Sequence, residues 1–298
     1  MSILSISSLS KNYGRIHAVD SLSMNIEEGN VFGLLGPNGS GKTTTLGMIL
    51  GVILPDAGQF QWFDGRYGGN PRRRIGTLLE TPNFYPYLGA LNNLKITAHI
   101  KKAVNPDYNG LLELVKLRGR ENDPFRTYSF GMKQRLAIAA ALLDDPDVLI
   151  FDEPTNGLDP QGIAEVRETI LQVAARGKTI LMASHILDEV EKICSHVAII
   201  KKGRLLASGE VTNILSNDQW IEVSAAETDK LKALLESIPD ILSVSEKEDF
   251  WLLTTKPGFE PATLNRMAFQ NGITLTHLTS RQKSLESKFL EITREDLS

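Results

Sequence analysis

The segment Gly36-Pro-Asn-Gly-Ser-Gly-Lys-Thr43 constrains the fold of this chain more than any other feature. It fits the pattern GxxxxGK[ST], follows the apolar run Val31 to Leu35 and precedes a stretch of helical apolar period, Thr44 to Leu50. By average residue frequencies, about 1% of chains this long would carry the pattern by chance, before its context is counted. Its glycines let backbone N–H groups curl round phosphate oxygens at a helix N-terminus, whose dipole favours anions. Gly36, Pro37, Asn38, Gly39, Ser40, Gly41, Lys42, Thr43 and Thr44 are therefore expected to cradle a nucleotide. Lys42 would reach the β- and γ-phosphates, and the Thr43 hydroxyl would ligate Mg²⁺. A control lies in the same chain. Gly177-Lys-Thr179 has Gln172 where the first glycine should stand and precedes a strand, so it reads as a turn.

Such a loop needs a sheet to support it. Short branched apolar runs (Val31 to Leu35, Ile75 to Leu79, Val148 to Phe151, Thr179 to Ala183, His196 to Lys201) alternate with helix-period stretches through the first 210 residues. That is the pattern of an α/β fold with a mainly parallel sheet. The run from Val148 ends in Asp152 and Glu153, and ligands bind at strand ends in such sheets. Asp152 is expected to hold Mg²⁺ directly or through water, and Glu153 to polarise the attacking water. Asp159 followed by Pro160 reads as a helix N-cap with proline at the first helical position.

Composition sets the outer limits. Among 298 residues, 42% apolar and 23% charged, Cys194 is the only cysteine, which fits a reducing cytosol. The longest apolar run, Leu136 to Leu143, is far short of the roughly 20 residues that span a bilayer. The N-terminus has no basic stretch followed by an apolar core, and so no sign of export. Residues 211 to 298 hold 9 Lys+Arg against 14 Asp+Glu, which leaves 23 against 22 before them. No basic face larger than Arg72, Arg73 and Arg74 appears, so a nucleic-acid partner is not expected. Only 2 of the 24 glycines, Gly258 and Gly272, lie in that acidic tail. The change divides the chain into 1–210 and a small α+β accessory domain, 211–298. Three short strands there (Ile221 and Val223; Phe250 to Thr255; Ile273 and Leu275) precede a closing helix marked by Leu285, Phe289 and Ile292.

Tyr128-Ser-Phe-Gly-Met-Lys-Gln-Arg135 stands just upstream of the acidic strand. With it the chain resembles the nucleotide-binding subunits of ATP-binding cassette (ABC) transporters, whose signature is usually written LSGGQ. Ser129 and Gly131 match that signature, while Phe130 and Met132 depart from it in the manner of the YSxGMKQR variant of bacterial multidrug and lantibiotic-immunity exporters. The resemblance extends in order over residues 1 to 210. It implies that Tyr13 stacks on adenine, that Gly157-Leu-Asp159-Pro160 is the D-loop contacting an opposite subunit, and that His185 is the switch histidine touching the γ-phosphate. Glu80 stands where the family carries its Q-loop glutamine, and resembles the E-loop of lantibiotic-immunity exporters. The segment Asn83 to Leu91, with two prolines and three aromatics, would dock a membrane partner.

The resemblance further implies an ABC cassette: a mainly parallel core, an antiparallel β subdomain and a helical subdomain carrying the signature. The expected function is ATP hydrolysis, with ATP and Mg²⁺ bound between two head-to-tail subunits (homo- or heterodimer), driving a separate permease. Catalysis would rest on Glu153, His185 and Lys42. Ser129 and Gly131 would close the nucleotide site, and Thr43, Asp152 and Glu80 would hold the metal. The protein would be cytoplasmic, reaching the inner face of the membrane only through the permease. A ribosome- or DNA-directed cassette ATPase is the rival from another class, but the chain has neither a second cassette nor a coiled-coil insertion. An importer ATPase would share all of this chemistry, with Glu80 and Met132 the only arguments against it. A GTPase is disfavoured because no NKxD motif appears.

Overall fold

A computed structural model describes residues 1–67, 70–79, 81–215, 219–256, 258–282 and 284–295. Two compact units, Met1–Gly209 and Glu210–Ser298, divide the chain.

In the first unit, β1 (Ser2–Tyr13) and β2 (Ile16–Glu27) form a long antiparallel hairpin. β3 (Val31–Leu35) then leads through the glycine-rich loop into α1 (Lys42–Ile49). β4 (Ala57–Trp62) returns to the other edge of β1, making a three-stranded antiparallel sheet in the order β2-β1-β4. β5 (Ile75–Leu78) opens the route to the helical part, α2 (Ala90–Lys101), α3 (Tyr108–Leu114) and α4 (Phe130–Ala141). The chain then runs through β6 (Val148–Asp152), α5 (Pro160–Ala174), β7 (Thr179–Ser184), α6 (Leu187–Ile193), β8 (His196–Lys201) and β9 (Arg204–Glu210).

Six strands form the central sheet in the order β5-β6-β7-β3-β8-β9, with β5 to β8 and β3 paired in parallel. Every residue of β3, β6 and β7 is buried, as expected where helices cover both faces of a parallel sheet and strands become continuous apolar runs. The register sets the site. Leu35 pairs with Ser184 and Asp152 with Ala183, so β3, β6 and β7 finish level at their carboxyl ends. The reversal of strand order beside β3 makes that end the crevice of the sheet.

One core joins the antiparallel sheet to α1 through Leu4, Ile6, Leu22, Leu46 and Ile49. A second, built on Leu94, Leu112, Phe125, Leu136 and Leu143, belongs to the helical part. Arg72, Arg73 and Arg74 end an exposed 3₁₀ turn, with Arg74 paired to Asp147.

The second unit begins with α7 (Val211–Leu215). β10 (Gln219–Ala225), α8 (Thr228–Ser237), β11 (Ile241–Glu246), β12 (Trp251–Thr255), α9 (Pro261–Gln270) and β13 (Leu275–Gln282) follow, and α10 (Leu285–Glu295) closes the chain. The sheet order is β11-β12-β10-β13, all antiparallel, which is a split β-α-β arrangement. Leu231, Leu235 and Leu264 from α8 and α9 cover Ile221, Val223 and Leu253. Three strands were expected here, and the structure has four among the described residues. A register shift between Ile241 and Ser243 breaks the alternation of β11, so its period of two is unreadable in sequence. The third expected strand starts at Leu275 rather than Ile273, which instead caps the packing of α9.

Candidate nucleotide site

The glycine-rich loop is built by close approach. A side chain at Gly36 would stand 2.3 Å from the Ile200 carbonyl, and one at Gly41 would stand 2.2 Å from the Ala18 carbonyl. Gly41 also has φ +105°, a conformation open in practice only to glycine. Gly39, at φ +77°, has open space where its side chain would be, so the loop is bare on that side. α1 starts at Lys42 with no side chain capping its N-terminus, in contrast to α4 and α5, which are capped by Ser129 and Asp159. An uncapped, glycine-lined helix start directed along β3 fits an oxyanion.

Lys42 is almost fully buried, and its Nζ donates to the Gly36 carbonyl at 2.8 Å. It also lies 3.5 Å from Glu153 Oε1. Thr43 Oγ1 donates to Asp152 Oδ2 at 2.9 Å, joining the helix start to the end of β6. Two hard oxygens at this distance are a suitable donor set for Mg²⁺. Glu153 has φ +51°, unusual for a side chain of its size, and its N–H donates to the Ala183 carbonyl at 3.0 Å. That backbone turn aims its carboxylate back across the strand ends. Its Oε2 is 2.8 Å from His185 Nδ1 and accepts from the His185 N–H at 3.3 Å. Lys42, Thr43, Asp152, Glu153 and His185 therefore form one connected group at the level ends of β3, β6 and β7. His185 is partly exposed and Glu153 less so, as a group open to substrate on one side requires.

Tyr13 is half exposed at the turn of the β1–β2 hairpin, with Lys11 Nζ 5.7 Å from its ring centre. Ala18, a few residues along β2, packs against Gly41 and Gly203, so the hairpin is docked on the glycine-rich loop.

Ser129 and Gly131 stand elsewhere. Ser129 caps α4 by accepting from the Met132 N–H at 3.2 Å. Gly131 faces Gly162, where a side chain would come within 3.4 Å of the Gly162 Cα. Together with Gly157, Leu158 and Asp159 they line a cleft of about 400 Å³ to which no residue of the glycine-rich loop contributes. The structure thus gathers Lys42, Thr43, Asp152, Glu153 and His185 on one side and the two capped helix starts, α4 and α5, on another. Glu80 lies outside the described residues.

Several residues here were not singled out in sequence. Arg135 is buried, donating to the Val115 carbonyl at 2.6 Å and pairing with Glu165 at 2.9 Å; its burial lowers its pKa despite that partner. Asn93 is buried too, and ties residues 85 to 89 to α2 through Tyr85, Leu88 and Gly89. Phe84, Tyr85, Pro86, Ile96 and Ile100 border the groove beside it, of about 460 Å³. The spacing of an arginine or asparagine carries no mark of such contacts; only the buried run around Leu94 could have pointed to them.

Comparison with known proteins gives the same answer as the geometry. Residues 19–156 match the ABC transporter family model. The bacitracin transport ATP-binding protein of Bacillus licheniformis is 38% identical, with 97% of each chain covered. The Nod factor export ATP-binding protein of Ralstonia nicotianae is 35% identical, with 99% of this chain and 95% of that one covered. Among solved structures, the ATP-binding subunit of an ABC transporter superposes with TM-score 0.63 at 30% identity, over 71% of this chain and 91% of its own. An ABC cassette in its ADP conformation does so with TM-score 0.63 at 25% identity, over 72% and 92%. With a bare glycine-rich loop, an acidic strand end and near full-length similarity to such proteins, the chain belongs to the ABC transporter family, as an ATP-binding and ATP-hydrolysing protein.

Proposed function

We propose that this protein is the ATPase subunit of an exporter-type ABC transporter. Two ATP-binding chains would lie head to tail, each hydrolysing ATP between its own glycine-rich loop and the Ser129–Gly131 helix start of the other. The observation that carries the reading is the separation within one chain of the open glycine-rich loop from the Ser129–Gly131 helix start. The loop at Gly36–Thr43 is open and uncapped, while Ser129 and Gly131 line a different cleft with the Gly157–Asp159 turn. Each is half of a site, and a second copy supplies the missing half. The names of the relatives, which concern bacitracin transport and Nod factor export, support the export direction.

Tyr13 would stack on the adenine, and backbone N–H groups from Asn38 to Thr44 would hold the phosphates. Lys42 would leave the Gly36 carbonyl and Glu153 for the γ-phosphate, exchanging neutral and carboxylate oxygens for more highly charged ones. Thr43 and Asp152 would hold Mg²⁺, which when bound draws charge from the transferring phosphoryl group. Glu153 would take the proton of the attacking water, and His185, hydrogen-bonded to it, would orient that carboxylate toward the γ-phosphate. Glu80 would add a carboxylate oxygen toward the metal. The groove of Phe84, Tyr85 and Ile100 would seat the permease, holding the protein at the inner face of the membrane. Among the described residues no helix is long and apolar enough to cross a membrane. Residues 211–298 would act as an accessory domain that steadies or regulates the dimer, with no nucleotide of its own.

Glu153→Gln tests the reading. The amide keeps the shape but polarises water poorly, and it removes a negative charge 3.5 Å from Lys42, so ATP affinity is kept or raised while turnover stops. Gel filtration with ATP and Mg²⁺ should show the variant as a dimer. A monomer only, at saturating ATP, overturns the two-chain site.

A further inference from the structure

α5 is braced on both flanks. At about 100° per residue, Val166, Ile170 and Val173 form its buried stripe, and Glu165 and Arg167 lie to either side of that stripe. On one side Glu165 receives Nη2 of the buried Arg135 guanidinium from α4, whose Nη1 donates to both the Val115 and the Lys116 carbonyls. On the other side Arg167 pairs at 2.7 Å with Glu189 of α6, a carboxylate only 5% exposed. The second oxygen of Glu189 is buried with no hydrogen-bond partner among the described residues, so Arg167, with Lys192 Nζ at 4.0 Å as a weaker second cation, carries most of the compensation of that charge. Both pairs are charge-assisted arginine–carboxylate contacts, stronger than hydrogen bonds between neutral groups.

What the two braces connect gives them significance. α4 begins at Ser129 and α5 at Asp159, and these starts face each other across the Gly131–Gly162 contact. α6 begins directly after His185, with the Ile186 N–H bound to Ser184 Oγ at 3.0 Å, so little slack separates that helix from the histidine on Glu153.

We propose that Glu165 and Arg167 are positioning residues for hydrolysis, which make α5 a rigid link between the Ser129–Asp159 face and His185. The inference rests on the two-chain reading above. In that arrangement the Ser129–Asp159 face meets the partner's nucleotide while His185 meets the chain's own. A shift of α5 when one site closes is then passed through Arg167 and Glu189 to the histidine of the other. The hydrophobic packing of α5 is non-directional, whereas in each arginine–carboxylate pair one partner is almost fully buried, so a slide that parts them leaves that charge uncompensated.

The test uses the full-length chain with Glu165→Gln, Arg167→Met, Glu189→Gln and the Glu165→Gln/Arg167→Met double variant. ATP affinity, kcat, KM and the melting temperature are measured for each, with kinetics run well below the lowest melting point. Single variants at 165 and 167 should lose about tenfold or more in kcat, with KM and ATP affinity within about twofold. Acting in series, the double variant should lose no more than the worse single one. Glu189→Gln, which still accepts from Arg167, should fall between the parent and Arg167→Met. Parental kcat in folded variants, additive losses in the double variant, or losses confined to KM would each overturn the proposal. If instead the Glu153→Gln chain fails to dimerise with ATP, the two-chain reading falls and this inference falls with it; a dimer alongside parental kcat in the brace variants strikes the inference alone.

Discussion

Glycine at position 41 is demanded twice over, by its backbone and by its neighbour. Its φ of +105° is hostile to any side chain, and a β-carbon would press into the Ala18 carbonyl at 2.2 Å. Gly41→Ala should therefore cost about 3 kcal/mol or more in stability, combining backbone strain with a clash that neither backbone can easily relieve. Gly39→Ala, which meets nothing within 4 Å, keeps only the strain and should cost about 1–2 kcal/mol. Denaturant unfolding of the two variants measures the difference, and equal costs would show that the approach of Ala18 is not what holds the loop. Of this site, the loop residues and Asp152–Glu153 are legible in sequence because they are contiguous and chemically distinctive. The grouping of Lys42, Glu153 and His185 is legible only through the family resemblance, because their contact is created by strand register: residues separated by 111 and 32 positions meet only because three strands end level.

Among elements, the buried parallel strands were readable and the helical insertion was not. β3 and β8 coincide with their apolar runs because both faces are covered, so burial alone marks their limits. α2 lacks that mark. Its first turn carries no acidic residue, no side chain caps it, and its ordering depends on Asn93, whose amide serves three carbonyls and one N–H of the preceding loop. Nothing in the run Ala90–Lys101 announces that role. Asn93→Ala should remove these bonds and leave buried carbonyls unpaired, costing about 3 kcal/mol. Hydrogen exchange at Tyr85 should rise sharply, with ATP affinity unchanged because the nucleotide group lies on other elements. Faster exchange spread evenly over the cassette would show that Asn93 supports the whole fold rather than this loop. The same loop borders the proposed permease groove, so transport should suffer more than hydrolysis.

At the scale of the molecule, the two units differ in what the sequence reveals. The first is recognisable from ordered motifs. The second is recognisable as a change in composition with three of its strands and its closing helix, but its split β-α-β topology emerges from cross-strand pairing that no single segment displays. Each unit has its own core, the second centred on Ile221, Leu231, Leu253 and Leu264. Truncation after residue 215 should accordingly leave ATP affinity within about tenfold, or about 1.4 kcal/mol, of the full chain. A larger loss, measured by titration calorimetry, would show that residues 211–298 help to build the nucleotide site.

The central claim is that each ATP is shared between two chains, and a photoreactive γ-phosphate analogue of ATP tests it most directly. Unlabelled wild-type chain is mixed with isotopically heavy Lys42→Ala chain, which lacks the lysine proposed to bind phosphate, and illuminated after Mg²⁺ and the analogue are added. The heavy peptide containing Ser129–Arg135 should be tagged, because nucleotide held by the wild-type loop would lie against the Ser129–Gly131 helix start of its partner. Tagging confined to the wild-type chain, with the heavy peptide clean at saturating analogue, would contradict it.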